Sequence, residues 1–300
     1  MTRLLITGAG GFLGRYLVEE ANAQQFQVTG VDRISRPHDL DCQWVECLLP
    51  SDEFESLIAN TKPDAIIHAA GTASVQDSIL NPFDDFKQNV FVFTHVLETV
   101  RKSAPLCRVI LISSAAVYGN PQKMPVAESA ATHPLSPYGY HKLLCELMGL
   151  QYAQVYGVKF VAARVFSAYG EGLRKQVLWD ICQKILSGGI VELAGTGDET
   201  RDFIHARDVA KGLFTLITHA RFDGGIYNLA DGEQVKIRDL AALLSQAMDR
   251  STEIKFSGVS RQGDPLNWQA DIRAIRELGF KPGIKFEDGA RGYAAWARSL

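Results

Sequence analysis

The stretch "RLLITGAGGFLG", residues 3 to 14, joins a short apolar run to a cluster of glycines and then to a helical pattern. Gly8, Gly11 and Gly14 follow the run directly, where a bare backbone can turn tightly and come close to another group. Four later runs share its character: "QVTGV" (27 to 31), "AIIHAA" (65 to 70), "RVILIS" (108 to 113) and "KFVAARVF" (159 to 166). Near-continuous apolar runs of this length suit parallel strands covered on both faces. Helical patterns at 12 to 24, 51 to 60, 82 to 102 and 137 to 156 lie between them. The alternation predicts an α/β fold, a Rossmann-type doubly wound parallel sheet with right-handed crossovers.

From about residue 170 the segments shorten and mix. Helices are expected near 174 to 188, 207 to 220, 237 to 250 and 286 to 299, with short strands near 190 to 193 and 226 to 229. No Pro/Gly/Ser-rich linker intervenes, so residues 171 to 300 are read as a smaller mixed α/β lobe packed on a domain of residues 1 to 170. Segments around 203 to 230 are candidates to return to the first domain. A ligand cleft is expected between the two.

With 46% hydrophobic residues in 300, the chain can bury a large core. Its net charge is −3, without a long basic or acidic run, which argues against nucleic acid and anionic membrane as partners. No apolar run approaches the ~20 residues of a membrane span, so a soluble, unexported, cytoplasmic protein is expected. Cys42, Cys47, Cys107, Cys145 and Cys182 are odd in number and form no CxxC pair, suiting reduced thiols rather than a disulfide framework or zinc site. His68, His133 and His205 have no second ligand at metal spacing and are read as structural or solvent-exposed, with no metal.

The glycines acquire meaning from their surroundings. A strand before them, a helix after them and Asp32 at the end of the second run make up a dinucleotide-binding fingerprint. A pyrophosphate would sit at the helix N-terminus. Asp32 would bind ribose hydroxyls and repel a 2′-phosphate, favouring NAD; Arg33 and Arg36 follow at once and leave NADP possible.

A second constellation lies in "SPYGYHKLLCE", residues 136 to 146. Ser136 suits an N-cap and Pro137 the first helical position, which puts Tyr138 and Lys142 one turn apart on one face, with Leu143, Leu144 and Leu147 at the other inward positions. The pair is either an ordinary surface contact or an ammonium that stabilises a phenolate for use as a general base. Tyr140, two residues from Lys142, faces elsewhere.

With the glycines spaced GxxGxxG, "SSAAVYG" (113 to 119) and Tyr138-x-x-x-Lys142, the chain resembles the extended branch of the short-chain dehydrogenase/reductase superfamily, and within it the nucleotide-sugar epimerase/dehydratase family. The likeness continues through "HAAGTASV" (68 to 75), "RVFSAYG" (164 to 170), "GTGDETRDFIHARDV" (195 to 209), "YNLADGE" (227 to 233) and "RQGDPLNWQAD" (261 to 271). The resemblance implies that Tyr138 transfers a proton, Lys142 assists it and binds the nicotinamide ribose, and Ser114 bonds the reacting sugar oxygen. It further implies cofactor contacts from Gly8, Gly11, Phe12, Leu13, Gly14, Asp32, Arg33, Ala69, Ala70, Gly71, Asn89, Ser113, Tyr138, Lys142 and Val165. Substrate contacts are implied for Ser74, Ser114, Ser167, Arg201, Arg261 and Trp268, the two arginines holding a diphosphate with their planar forks.

The same resemblance narrows the reaction. Dehydratases place acids after the catalytic hydroxyl, where this chain has Ala115 and Ala116; enzymes that epimerise C3 and C5 need a Cys and a His that are absent here. What remains is NAD-dependent C4 epimerisation of a nucleotide hexose or, alternatively, NAD(P)H-dependent reduction of a nucleotide 4-keto-6-deoxy sugar. The paired arginine motifs favour the first; Ser167 and "CLL" (47 to 49) depart from the epimerase pattern. A redox sensor without turnover is a third possibility. Trp268 is either a core filler or a wall excluding an N-acetyl group from the sugar. Relatives dimerise through helices corresponding to 82 to 102 and 137 to 156, so a homodimer is expected.

Overall fold

The structure is a computed structural model that describes residues 2–250, 252–259, 263 and 265–300. Strand β1 (Arg3–Thr7) leads through the glycines into α1 (Phe12–Ala23), and β2 (Gln27–Asp32), β3 (Gln43–Glu46), α2 (Asp52–Thr61) and β4 (Ala65–His68) follow. Next come α3 (Val75–Leu80), α4 (Pro82–Phe86), a π-helical turn (Lys87–Phe91) and α5 (Val92–Ser103). Then β5 (Arg108–Ser114), α6 (Pro137–Tyr156) and β6 (Lys159–Val165) complete the first region.

Beyond them the chain forms β7 (Ser167–Tyr169), α7 (Gln176–Ser187), β8 (Val191–Leu193), β9 (Thr200–Arg201), β10 (Phe203–His205), α8 (Ala206–His219) and β11 (Asp223–Leu229). Last are β12 (Val235–Lys236), α9 (Ile237–Ala247), β13 (Ile254–Phe256), α10 (Arg273–Glu277) and α11 (Phe286–Arg298).

Seven parallel strands form the central sheet in the order β11-β6-β5-β4-β1-β2-β3. Alternate residues of each strand enter opposite cores, as the two-residue repeat of a strand requires. Leu4, Ile6, Ile110 and Ile112 pack with α1 and α8 on one face, while Leu5, Ile66, Val109 and Leu111 pack with α2 and α5 on the other. A third core of Leu178, Ile181, Leu240, Leu244 and Tyr293 belongs to the C-terminal lobe. β11 closes one edge of the sheet beside β6, so the chain returns to the first domain before finishing in the lobe.

Because β1 pairs with both β2 and β4, the strand order reverses there and opens a crevice at the carboxyl ends of the strands. Thr7, His68, Ser114 and Val165 all lie at those ends.

Several sequence expectations need correction. The helix expected over 82 to 102 is α4, a π turn and α5, the π turn centred on Asn89; such turns concentrate at functional sites. β3 and α3 went unforeseen because four and six residues are too few to display a period. Leu144 and Leu147 point outward, 40% and 52% exposed, although Leu143 packs on the core. A 20-residue helix against a sheet buries one stripe, and these two leucines lie off it.

Candidate active site

A cleft of about 590 Å³ lies above the strand ends, between the sheet domain and the lobe. Its floor is the glycine loop. Gly8 adopts φ 71, and a Cβ there would sit 2.7 Å from the Ala69 and Ala70 backbone. A Cβ at Gly14 would lie 2.2 Å from the Gly8 carbonyl oxygen. Only glycine lets α1 and β4 approach the loop this closely.

No side chain caps α1 at Gly11 and no acidic residue occupies its first turn, so its leading N–H groups suit an anionic pyrophosphate. Asp32 accepts hydrogen bonds from the N–H groups of Gly10 at 2.9 Å and Arg33 at 2.7 Å, which holds its carboxylate beside the loop. These features fit a dinucleotide. Gly8, Gly11, Phe12, Leu13, Gly14, Ala69, Ala70, Gly71 and Val165 all line the cleft; Asp32, Arg33 and Asn89 do not. Asn89 is buried behind Gly71, its Nδ2 donating to Thr72 Oγ1 at 2.8 Å.

The catalytic candidates line the same cleft. Ser136 caps α6 by accepting from the Gly139 N–H at 3.3 Å, and Pro137 begins the helix. Tyr138 and Lys142 are buried and both line the cleft, whereas Tyr140 is exposed. Lys142 Nζ donates to the Ile112 carbonyl at 3.1 Å and lies 5.9 Å from the Tyr138 ring centroid. Ser114, at the end of β5, accepts from the Ala116 N–H at 3.1 Å and faces the same space.

Ser113 lines the cleft as well, but its hydroxyl turns away and donates to Glu146 at 2.5 Å. Glu146 is in turn paired with Arg164 at 2.7 Å, both almost fully buried. His68 is buried, its Nδ1 2.9 Å from Thr7 Oγ1, and burial pushes it down to about 3. It is a neutral structural histidine. His205 is also structural, accepting from the Arg207 N–H at 3.2 Å and lying 3.3 Å from Glu171.

Ser74 and Ser167 of the first domain and Arg201 and Trp268 of the lobe line the same cleft. Trp268 Nε1 donates to the Gly119 carbonyl at 3.0 Å, its ring packs edge-on against Phe166, and the Arg201 guanidinium lies 5.7 Å from its centroid. The tryptophan therefore both fills the interface and forms part of the wall. Arg261 lies outside the described residues.

Two features escaped sequence reading. Asp202 is fully buried and accepts from the N–H groups of Asp231 at 3.0 Å, Gly232 at 3.1 Å and Ala270 at 2.9 Å, tying the Trp268 segment to the strand after Arg201. Burial outweighs those three bonds and pushes its carboxyl up to about 7. Lys175, which precedes α7, also lines the cleft. "TRDF" contained the Asp202 signal, but nothing local marked Lys175.

Residues 4–230 match the model of the NAD dependent epimerase/dehydratase family. A UDP-glucose 4-epimerase of Azospirillum brasilense is 28% identical, covering 99% of this chain and 92% of that one. Among solved structures, the UDP-glucose 4-epimerase of Thermus thermophilus in complex with NAD superposes with a TM-score of 0.91 at 25% identity, covering 100% of both chains. That of Thermotoga maritima with UDP-glucose gives 0.90 at 26% identity, covering 99% of each chain.

Proposed function

The chain belongs to the NAD dependent epimerase/dehydratase family and is an NAD-dependent enzyme; from that premise we propose that it inverts C4 of a nucleotide hexose through a transient 4-keto sugar. The observation that carries this reading is the meeting of Ser114, Tyr138 and Lys142 in one cleft with the glycine loop and Arg201. Ala115 and Ala116 follow Ser114, so the position lacks the acid that eliminating water would require.

The chemistry divides among these groups. Tyr138 Oη takes the proton of the C4 hydroxyl as that carbon is oxidised, and returns it when the carbon is reduced. Ser114 Oγ bonds the same sugar oxygen and holds it against Tyr138. Lys142, fixed by the Ile112 carbonyl, supplies the positive charge beside the phenol. When bound, NAD supplies reversible hydride acceptance, and the glycine loop, Asp32 and the 69 to 71 segment would hold it. Arg201, together with Arg261, anchors the diphosphate while the keto sugar turns to present its other face.

Trp268 narrows the space around the sugar, which favours plain or deoxy hexoses over 2-acetamido sugars. The relatives named UDP-glucose 4-epimerase make UDP the first nucleotide to try. The exposed Phe91, Leu144 and Leu147 on the α5 and α6 region support a homodimer through these helices. All five cysteines are free, in keeping with a reducing, cytoplasmic setting.

The test is absorbance at 340 nm together with product analysis. Purified protein given UDP-glucose should form UDP-galactose with no net absorbance change, and Tyr138→Phe should lower turnover by about 10²-fold or more. Stoichiometric oxidation of added NADH or NADPH by a 4-keto-6-deoxy sugar nucleotide, without interconversion of the hexoses, would instead establish a reductase.

A further inference from the structure

Asp85, on α4, is an almost fully buried carboxylate outside the lining of the cleft. Its two oxygens meet donors from distant parts of the chain. Oδ1 accepts from Thr72 Oγ1 at 2.5 Å, and Oδ2 lies 2.5 Å from Nδ1 of His141 on α6. Thr72 follows Gly71, and both line the cleft. His141 immediately precedes Lys142, and its ring packs edge-on against Phe86.

These contacts fix a direction for each hydrogen in the network. An ionised carboxylate only accepts, so Thr72 spends its single hydroxyl hydrogen on Asp85, and His141 Nδ1 carries a hydrogen too. The Thr72 oxygen must then accept in turn: Asn89 Nδ2 donates to it at 2.8 Å and to the Asp85 carbonyl at 3.2 Å. With its amide nitrogen committed, Asn89 turns Oδ1 toward Gly71, where a Cβ would lie 2.6 Å from it. One carboxylate thus sets the wall segment of residues 69 to 72, the π turn and α6 against one another.

The region between β4 and α5 ties α6 at a second point, since Ser78 Oγ on α3 accepts from the Tyr138 N–H at 3.1 Å. Tyr138 is therefore held at its backbone and Lys142 through the side chain beside it. An apolar contact would join α4 to α6 without burying a charge; what the carboxylate adds is direction, through bonds stronger than those between neutral groups.

We propose that Asp85 and His141 are positioning residues for the C4 chemistry, locking α6 to the 69 to 72 wall so that Tyr138 and Lys142 keep their place against the dinucleotide. This rests on the nucleotide-sugar reading above. Neither side chain touches substrate; both act through Thr72 and through the helix that carries the catalytic pair.

The experiment compares wild type with Asp85→Asn, His141→Leu, His141→Asn and Thr72→Val. UDP-glucose turnover is measured per folded molecule, NADH affinity by fluorescence titration and UDP affinity by calorimetry. Asp85→Asn and His141→Leu should lower kcat about ten-fold or more while KM stays within about three-fold of wild type. Both should weaken NADH and leave UDP affinity near wild type. His141→Asn keeps a donor near the place of Nδ1 and should recover most of the loss. Thr72→Val, which removes only the hydroxyl link, should weaken NADH in the same way and serves if Asp85→Asn does not fold. A lowered thermal midpoint with unchanged kcat and NADH affinity would make the network structural only and overturn the inference. Equal losses in His141→Asn and His141→Leu would overturn it as well. A wild type that converts no nucleotide hexose removes the C4 reading by itself. The NADH titrations still decide the positioning role: wild-type affinity in Thr72→Val and His141→Leu overturns it, and loss recovered in His141→Asn upholds it.

Discussion

Arg164 and Glu146 form a buried ion pair, Nη2 to Oε2 2.7 Å, directly behind the serines that end β5. Glu146 also accepts from Ser113 Oγ, and the Arg164 guanidinium lies 4.6 Å from the Tyr118 ring centroid. The pair joins α6, which carries Tyr138 and Lys142, to β6 and to the strand that presents Ser114. It is how the fold sets one catalytic element against another.

Removing one partner leaves the other charge buried without compensation. Glu146→Ala should therefore lose roughly 3–5 kcal/mol of unfolding free energy in a denaturant titration. It should also lower turnover in the molecules that remain folded, because Ser113, the neighbour of Ser114, loses its acceptor. A change within about 1 kcal/mol would mean that the pair is solvated or replaceable.

The glycine loop gives a steric prediction. Gly14→Ala places a methyl group 2.2 Å from the Gly8 carbonyl oxygen and 2.7 Å from the Ala9 backbone, and neither can rotate away. Moving α1 back should cost about 1–3 kcal/mol, and NAD affinity should fall because the leading N–H groups move with the helix. Tight NAD binding by this variant would show that the pyrophosphate lies elsewhere.

Asp202 predicts an unusual pH dependence. Its folded-state value near 7 exceeds the ordinary 3.8, so between about pH 4 and 7 the folded protein keeps a proton that the unfolded chain has lost. Stability from this group falls as pH rises through that window, with a slope of at most about 1.4 kcal/mol per unit. Asp231, pushed to about 6, adds in the same direction. Glu171, held near 2 by His205, acts oppositely, its contribution being lost as pH falls from about 4.5 toward 2. Comparing unfolding curves of wild type and Asp202→Asn at pH 5 and 7.5 isolates the first effect. Parallel pH profiles for the two proteins would refute it.

The outer faces of the π turn and α6 predict association. Phe91, Leu144 and Leu147 are 54%, 40% and 52% exposed, more apolar surface than a solitary helix face ordinarily leaves in water. Light scattering at micromolar concentration should give a dimer, and Leu147→Glu with Phe91→Glu should yield a folded monomer. A monomeric wild type would remove the homodimer from the proposal.

Much of this protein is local. Alternating apolar runs specified the parallel strands, and Gly8, Gly11 and Gly14 marked the turn where only a bare backbone fits. Ser136, Pro137, Tyr138 and Lys142 fixed a helix start and a one-turn spacing within seven residues. Such features are legible because backbone geometry imposes its period within a short window. Tertiary structure alone decided which groups meet across long separations: Glu146 with Arg164, Asp202 with Ala270 at 68 residues, and Lys175 with Ala73 at 102. It also turned the Ser113 hydroxyl away from the cleft and left Leu144 and Leu147 outside the core. Those outcomes depend on strand order and on how lobe and sheet pack, and neither leaves a periodic trace in the residues themselves.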